Sequence, residues 1–302
     1  MKDTTKLAPM ERVKKKKRRP GERTIEVAML VCAFTSVAAV LLITVLIFSQ
    51  GLPVFKEVSV WDFITGTTWK PTKGIFGIFP MIMGSVYTTG IALLIGIPIG
   101  LGCAVFLAEI APRKLAAVLR RGIEVLAGIP SIVYGFFGAV VMVPVIRKAA
   151  GGAGNSVLAA GIILAIMILP TIISISDVSL RAVPKASREG SLAMGASKWQ
   201  TIRRVSMPTA RSGIITSVVL GIGRAVGETM AVILVAGNTP AIPDSIFDSV
   251  RTLTVNMVIE MSYVSTGSTH YAALFATGIV LFVFIMVLNG VVTILGRKRV
   301  SG

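Results

Sequence analysis

Residues 156–176 read SVLAAGIILAIMILPTIISIS and contain no Lys, Arg, Asp or Glu. An α-helix needs about 20 consecutive apolar residues to cross the hydrocarbon core of a bilayer. A charge-free window of this length is the usual signature of a transmembrane helix. This stretch therefore predicts a membrane span, and the rest of the chain can be searched for windows of the same kind.

Five more such windows lie on either side of this one. Charged side chains within them are few: Glu124 begins one window, and Arg211, Arg224 and Glu228 lie in another. The pattern predicts an all-α, polytopic membrane protein with six transmembrane helices. The predicted spans are residues 27–49, 81–108, 123–146, 156–176, 210–237 and 271–296.

The composition excludes several classes of soluble enzyme. Of 302 residues, 54% are hydrophobic and only 15% are charged, whereas a soluble domain has about 25% charged residues. Two cysteines and one histidine are too few for a Cys/His zinc site, a disulfide framework or a Ser-His-Asp triad with an alternative base. Gly151-Gly152-Ala153-Gly154 is not followed by the Lys-Ser/Thr of a P-loop. We therefore expect no cofactor in this chain, and any nucleotide must be bound by another subunit.

The Lys and Arg residues outside the spans predict the orientation of the chain. With Arg211, at the start of the fifth span, counted in the loop before it, the segments on one side of the predicted membrane carry 24 Lys and Arg residues, and the segments on the other side carry 6. Because positive charge accumulates in cytoplasmic loops, both termini are predicted to be cytoplasmic. Residues 1–26 then form a basic tail, 50–80 an extracytoplasmic loop and 297–302 a second cytoplasmic tail. A basic run at 12–19 is consistent with nucleic-acid binding, but its place beside a span favours contact with anionic lipid.

The longest predicted cytoplasmic loop, residues 177–209, has the pattern of two short helices. The first covers 186–194 and is stopped by Gly195, and the second begins at Lys198 and is ended by Pro208. One interpretation is an amphipathic helix that lies on the membrane face and is anchored by Trp199. The other is a rigid helix that docks in a cleft of a partner, with Gly195 allowing the backbone to turn.

The spacing of this loop resembles the EAA loop of ABC importer permeases. That loop runs Glu-Ala-Ala, three residues, Gly, nine residues, Ile-x-Leu-Pro, and this chain keeps the spacing with other residues at four positions. The resemblance implies a type I ABC importer permease of MetI-like fold in a bacterial inner membrane, with a core at 81–296 and a loop that docks on an ATPase subunit holding ATP and Mg²⁺. The residues it assigns to docking are Glu189, Gly190, Ser191, Gly195 and Pro208. For Glu189, the other interpretation is a charge that merely stabilises a helix N-terminus.

Three further stretches resemble the phosphate-specific, PstC-type branch of this family. They are Trp69-Lys70-Pro71 with the run FGIFPMIMGS at 76–85, LAGIPSIVYG at 126–135 and GRAVGETMAV at 223–232. The resemblance implies that inorganic phosphate is carried. It also implies partners: a second, PstA-like permease, two PstB-like ATPase subunits and an extracytoplasmic, PstS-like phosphate-binding protein. Membrane lipid is the remaining partner, and no nucleic acid is expected.

Arg224 is the main candidate site residue from the residues themselves. An Arg in mid-membrane costs about 2.5–3.5 kcal/mol on insertion scales, so it indicates a functional site. Its planar fork matches phosphate oxygens. Glu228 is four residues further on and is predicted to share a helix face with Arg224. We expect these two residues, with the hydroxyls of Thr229 and Tyr134, to line the substrate path.

Alternatives remain open at this stage. One alternative is that Arg224 and Glu228 form an ion pair with a purely structural role. Another is that the hydroxyls of Tyr134 and Thr229 bond only to the backbone of their own helix. A refinement of the path hypothesis is that the Glu228 carboxylate pairs with the Arg224 guanidinium in the resting state, and that phosphate competes for this guanidinium during transport. The substrate could also be sulfate or molybdate, and a rival from another class is an enzyme that acts on lipid phosphate.

Overall fold

The structure is a computed structural model, and it describes residues 20–298. The basic N-terminal run and the last four residues lie outside the described residues. Fourteen α-helices are present in the described part, with π-helical turns at Phe106–Ile110, Gly138–Met142 and Ile202–Ser206. In chain order the helices are α1 Pro20–Gly51, α2 Val60–Thr65, α3 Phe79–Val105, α4 Arg113–Gly128, α5 Ser131–Phe137, α6 Val143–Ala150, α7 Val157–Arg181, α8 Lys185–Ala193, α9 Lys198–Thr201, α10 Met207–Thr209, α11 Arg211–Gly227, α12 Met230–Val235, α13 Leu253–Met261 and α14 Thr269–Lys298.

The all-α, multi-span prediction is confirmed. Within residues 20–298, five helical segments are long and apolar enough to cross a membrane, and a bent pair raises the number to six. The bent pair is Lys198–Thr209 with Arg211–Gly227, whose axes differ by 70°. The five segments are Ile25–Lys56, Phe79–Ile110, Ser131–Ala150, Val157–Arg181 and Thr269–Val292.

The third span begins later than the sequence predicted. We expected it to start at residue 123, but α4 ends at Gly128 and the span starts at Ser131. Ile129 and Pro130 between them are extended, with ψ of 127° and 139°. Proline disfavours the helical conformation in the residue before it and has no N–H to continue a helix. The sequence prediction placed Pro130 inside the span as a kink, because the window at 123–146 was chosen by its low charge.

The two-helix prediction for the loop agrees with α8 and α9, but Pro208 does not end the second helix. It lies in the first turn of α10, where a missing N–H costs no hydrogen bond. The chain bends after that turn, at Ala210, which has φ −81° and ψ 2°. Gly195 has φ +81°, as expected for a residue that turns the backbone after a helix.

Helix α7 forms the centre of the core, and α3 packs along it. Of the twelve largest fully buried side chains in the described structure, six belong to α7: Ile163, Leu164, Met167, Ile168, Ile172 and Leu180. Two glycines of α3 allow the approach: a Cβ on Gly96 would lie 2.8 Å from the Ile168 side chain, and one on Gly100 would lie 2.8 Å from Ile172. Small residues at such positions are how membrane helices come close together.

A second core lies between α14, α13 and the segment that precedes α3. Its buried side chains include Phe63, Trp69, Phe76 and Leu274. Trp69 and Phe76 lie opposite each other in a two-stranded antiparallel pair, β1 Trp69–Lys70 and β2 Ile75–Phe76. The predicted loop at 50–80 is therefore a packed substructure.

The chain divides into two units, residues 1–46 and 47–302. In the described part of the first unit, hydroxyls of Thr35, Ser36 and Thr44 donate to the carbonyl oxygens four residues earlier, at 2.8, 2.9 and 2.8 Å. The polar side chains of this stretch are thus satisfied within their own helix, as a lipid environment requires.

The packing of α3 on α7 predicts a contrast between two neighbouring glycines. Gly100→Ala places a methyl group against buried Ile172, and such overpacking destabilises a core by about 1–3 kcal/mol. Gly102→Ala has no atom within 4 Å of the added carbon and serves as the control. Thermal unfolding of the purified protein in detergent should show a lower midpoint for Gly100→Ala alone. Equal midpoints for the two variants would contradict the close packing.

Candidate functional site

The predicted fifth span is interrupted where its charged residues lie. Helix α11 ends at Gly227, Glu228 is extended with φ −71° and ψ 131°, and α12 begins at Met230. Glycine is a poor helix former, so the last position of α11 is a weak point in the span. The prediction of one continuous helix over 210–237 is wrong.

The side chain of Glu228 stabilises the start of the helix that follows. Its Oε1 accepts a hydrogen bond from the Ala231 backbone N–H at 3.1 Å. The first N–H groups of a helix have no partner within the helix, and a negative charge near them is favourable, although Glu228 precedes the N-cap residue, Thr229. Glu228 therefore serves the backbone of α12.

Arg224 and Glu228 do not share a helix face, because the helix stops between them. Among the described residues, no ion pair joins Arg224 to Glu228 or to any other carboxylate. The refinement in which Glu228 occupies the guanidinium fork at rest is therefore absent from this conformation. In its place, Arg224 Nη1 donates to Thr171 Oγ1 of α7 at 3.3 Å.

Tyr134 lies in α5, at the start of the third span. The ring is buried, with 8% of its surface exposed. Its hydroxyl donates to the Leu126 carbonyl at 2.7 Å. In an uninterrupted helix this carbonyl would accept from the N–H of residue 130, which is proline and has none. Tyr134 thus compensates for the break before the third span.

Close backbone packing brings the two interrupted spans together. A Cβ on Gly135 would lie 2.7 Å from the Ala231 Cα, so α5 and α12 nearly touch. The structure thereby places Tyr134 and Glu228 on neighbouring segments, while Arg224, near the end of α11, contacts Thr171 of α7. Thr229 is half-buried, and its hydroxyl donates to the Gly227 carbonyl at 3.3 Å. That contact matches the backbone-bonded alternative for this hydroxyl.

Helix α13 also reaches the break. Thr254 Oγ1 donates to the Glu228 carbonyl at 3.1 Å, and the Leu253 N–H donates to Ser85 Oγ of α3 at 3.0 Å. We expected residues 238–270 to form an outer loop, but the first turn of α13 is buried in the protein. A charge count cannot find this segment, because nine residues are too short to be recognised as a span.

Arg251 is a second largely buried cation that the sequence analysis missed as a site residue. Its Nη1 contacts Glu260 Oε1 at 2.9 Å, with side-chain exposures of 13% and 18%. The same Nη1 donates to Asn256 Oδ1 at 3.1 Å, and Nε donates to the Asn238 carbonyl at 2.8 Å. The other Glu260 oxygen lies 3.3 Å from His270 Nε2. Arg251 is thus compensated, unlike Arg224.

The loop residues assigned to docking lie on a protruding surface. Glu189, Gly190 and Gly195 are exposed, and no residue of α8 is buried. Ser191 Oγ lies 3.0 Å from Thr201 Oγ1, which ties α8 to α9. Large apolar side chains are exposed on the same surface, including Met194 at 89% and Trp199 at 62%.

A polar cluster lies at the end of α7 from which this loop departs. Arg120 of α4 donates to both oxygens of Asp177, at 2.8 and 3.0 Å, and Arg181 lies 3.1 Å from the same carboxylate. The hydrogen bond to Asp177 raises the pKa of Arg120. In the part of the chain that the structure describes, no group of three or more His, Cys, Asp or Glu side chains forms a metal site.

Comparison with known proteins identifies the family. Residues 96–301 match the family model described as binding-protein-dependent transport system inner membrane component. The chain belongs to this family. It is accordingly a multi-pass permease subunit of an ABC transporter and a transport protein rather than an enzyme, which removes the lipid-phosphate alternative. Its family works with an ATPase and a substrate-binding protein.

Several relatives of this permease cover most of its length. The probable ABC transporter permease protein YqgH of Bacillus subtilis is 43% identical over 267 residues, 85% of this chain and 86% of that protein. The phosphate transport system permease protein PstC 1 of Mycobacterium tuberculosis is 35% identical over 75% of this chain and 79% of its own. PstC of Haemophilus influenzae is 32% identical over 89% and 92%. The resemblance to the PstC type is thus confirmed.

Solved ABC transporters share the fold of this permease. A chain of the inward-facing MetNI methionine transporter matches with a TM-score of 0.52 at 21% identity, over 77% of this chain and 98% of its own. A chain of a bacterial alginate importer matches with a TM-score of 0.61 at 13% identity, over 94% and 100%. At these identities the likeness establishes the MetI-like fold alone.

The two interpretations of Glu228 predict different effects of two substitutions. Glu228→Gln keeps a side-chain oxygen that can accept from the Ala231 N–H, whereas Glu228→Ala removes the cap and should cost about 0.5–2 kcal/mol. Thermal unfolding of the purified permease in detergent should therefore show a loss for Ala and little change for Gln. Equal losses for both would instead indicate that the negative charge of Glu228 is what matters.

Proposed function

We propose that this permease forms half of the translocation path of an ATP-driven, high-affinity phosphate importer, and that Arg224 is the residue phosphate meets in that path. The observation that carries the proposal is an intramembrane guanidinium with no carboxylate partner among the described residues. An Arg within a span is tolerated where it faces a water-filled or protein-lined space, and it marks a substrate path by default.

The surroundings of Arg224 suit a passing anion. Thr171 accepts from only one of its nitrogens, at 3.3 Å, so most of the donors of the fork are left for phosphate oxygens. A single arginine with neutral neighbours attracts an anion without the many contacts that would trap it. Glu228, which we had assigned as a competitor for the fork, instead shapes the path by starting α12.

The relatives support phosphate as the cargo. Several that match at 32–35% identity over most of the chain are named phosphate transport permeases, whereas YqgH carries only a general transporter name. Sulfate and molybdate are also tetrahedral oxyanions, and a guanidinium fork binds them through the same geometry. Uptake of labelled phosphate in the presence of equal sulfate distinguishes these cargoes, because displacement by sulfate would overturn the phosphate assignment.

The same proposal assigns a role to each partner subunit of the transporter. A PstA-like permease completes the path, two PstB-like ATPase subunits bind ATP and Mg²⁺, and a PstS-like protein delivers phosphate from outside. The exposed surface around Glu189, Met194 and Trp199 is where an ATPase subunit docks, because apolar side chains left in water favour burial by a partner. The excess of Lys and Arg on the loop side then orients the chain with both termini in the cytoplasm.

Replacement of Arg224 tests the proposed path directly. Arg224→Gln should abolish phosphate uptake by membrane vesicles, because the neutral amide removes the charge that offsets the desolvation of the anion. Assembly should persist, since Arg224 makes no ion pair in the described structure. Arg211→Gln, at the opposite end of α11, is the matched control and should transport normally. Wild-type uptake by Arg224→Gln would overturn the path.

A further inference from the structure

We infer that Arg188 is a positioning residue that transmits the movement of the docking loop to the membrane helices and, through α7, to Arg224. This inference rests on the proposed docking of an ATPase subunit at the loop. It goes further by naming the contact through which a displacement of α8 reaches the substrate path, which the loop resemblance does not assign.

The first observation is that few side-chain contacts hold α8 in place. None of its nine residues is buried. In the described structure, its side-chain polar contacts are two: Ser191 bonds to Thr201 within the loop, and Arg188 reaches residues outside it. A force applied to α8 by a docked partner therefore passes to the membrane-spanning helices through the backbone, the α9 side of the loop and this one arginine.

The second observation is that Arg188 joins two different helices. Its Nη2 lies 3.1 Å from Glu109 Oε1, in the π-helical turn that ends the span beginning with α3. Nη2 also donates to the Leu180 carbonyl in the last turn of α7. One nitrogen of the guanidinium thus contacts both the segment that follows α3 and the end of α7, while Nε is buried without a hydrogen-bond partner among the described residues.

Burial makes this contact more than a surface ion pair. The side chains of Arg188 and Glu109 are 20% and 10% exposed. Exposed pairs contribute little because water and salt screen them, whereas loss of one partner of a largely buried pair leaves an uncompensated charge. The link is therefore expected to hold while α8 moves, and α3 and α7 are expected to follow.

The third observation connects α7 to the substrate path. Thr171, which accepts from Arg224, precedes Leu180 by nine residues on the same helix, a distance of about 14 Å along the axis. Packing of Gly96 and Gly100 against Ile168 and Ile172 makes α3 and α7 move as one body. Helix α7 is also joined to α11 by the Ser176–Ser217 hydrogen bond at 2.8 Å, so a displacement of Leu180 by the loop reaches both Thr171 and the helix that carries Arg224.

The test measures phosphate transported per ATP hydrolysed, with the full complex reconstituted in liposomes. Arg188→Ala should co-purify with the ATPase subunit and hydrolyse ATP at close to the wild-type rate, while transport per ATP falls about tenfold, within the range for residues that modulate coupling between sites. Lys185→Ala is the matched control, because it removes a cation from an exposed position on the same helix.

A double-mutant cycle identifies the contact itself. If Arg188 acts through Glu109, Glu109→Ala lowers transport per ATP as well, and the double variant loses no more than Arg188→Ala alone. Additive losses, or an Arg188→Ala complex with the same stoichiometry as Lys185→Ala, would overturn the inference.

Arg188→Lys extends the test to a complex that retains the positive charge. Because both contacts use one nitrogen, a lysine ammonium can preserve them, so Arg188→Lys should lose less transport per ATP than Arg188→Met, which has a similar reach and no charge. Equal values for these two variants would overturn the inference. This pair decides the question if Arg188→Ala fails to assemble. A wild-type complex that holds no ATPase subunit or carries no phosphate would overturn the proposed function and this inference together.

Discussion

An arginine placed inside a membrane span without a carboxylate partner is the constraint on which the rest of this structure depends. A guanidinium in hydrocarbon is costly. Among the described residues, the polar contact of the Arg224 side chain is one hydrogen bond, donated to Thr171 at 3.3 Å. Arg251, by contrast, has Glu260 to compensate it. The difference between these two cations separates a structural ion pair from a residue left available to an anion.

The interruptions around Arg224 obey the rule that every backbone polar group in a membrane needs a partner within the protein. At the third span, the Tyr134 hydroxyl supplies the donor that Pro130 cannot give to Leu126. At the fifth span, Glu228 caps α12 and Thr254 donates to the Glu228 carbonyl. Both breaks are thus satisfied by side chains from neighbouring segments. Irregular backbone at this depth lines a cavity or a path in membrane proteins.

Local signals account for what the sequence could predict. Charge-free length located the spans, and Gly195 located the turn between α8 and α9, because both depend only on residues close in the chain. Pro130 was also a readable signal, but it was interpreted as a kink within a span, whereas the helix ends before it. The break after Gly227 is different, since the partners that satisfy it include Thr254, which is 26 residues away.

The same reasoning explains the errors at the site. Helical periodicity placed Arg224 and Glu228 on one face, and that geometry fails as soon as the helix ends between them. Thr171 gave no signal at all, because a threonine in a charge-free span usually bonds to its own backbone. Its role depends on how α7 meets α11, 53 residues further along the chain. Tyr134 was predicted to donate its hydroxyl to the substrate anion, but this hydroxyl donates to the Leu126 carbonyl instead.

The central claim is that phosphate passes beside Thr171 and Arg224, and a cysteine at position 171 tests it most directly. With Cys32 and Cys103 replaced by serine, Thr171→Cys would be treated with a small, negatively charged thiol reagent in complexes that still transport phosphate. The account predicts that the thiol reacts and that phosphate, but not an equal concentration of sulfate, slows the reaction. A reaction rate that is the same with and without phosphate would contradict it.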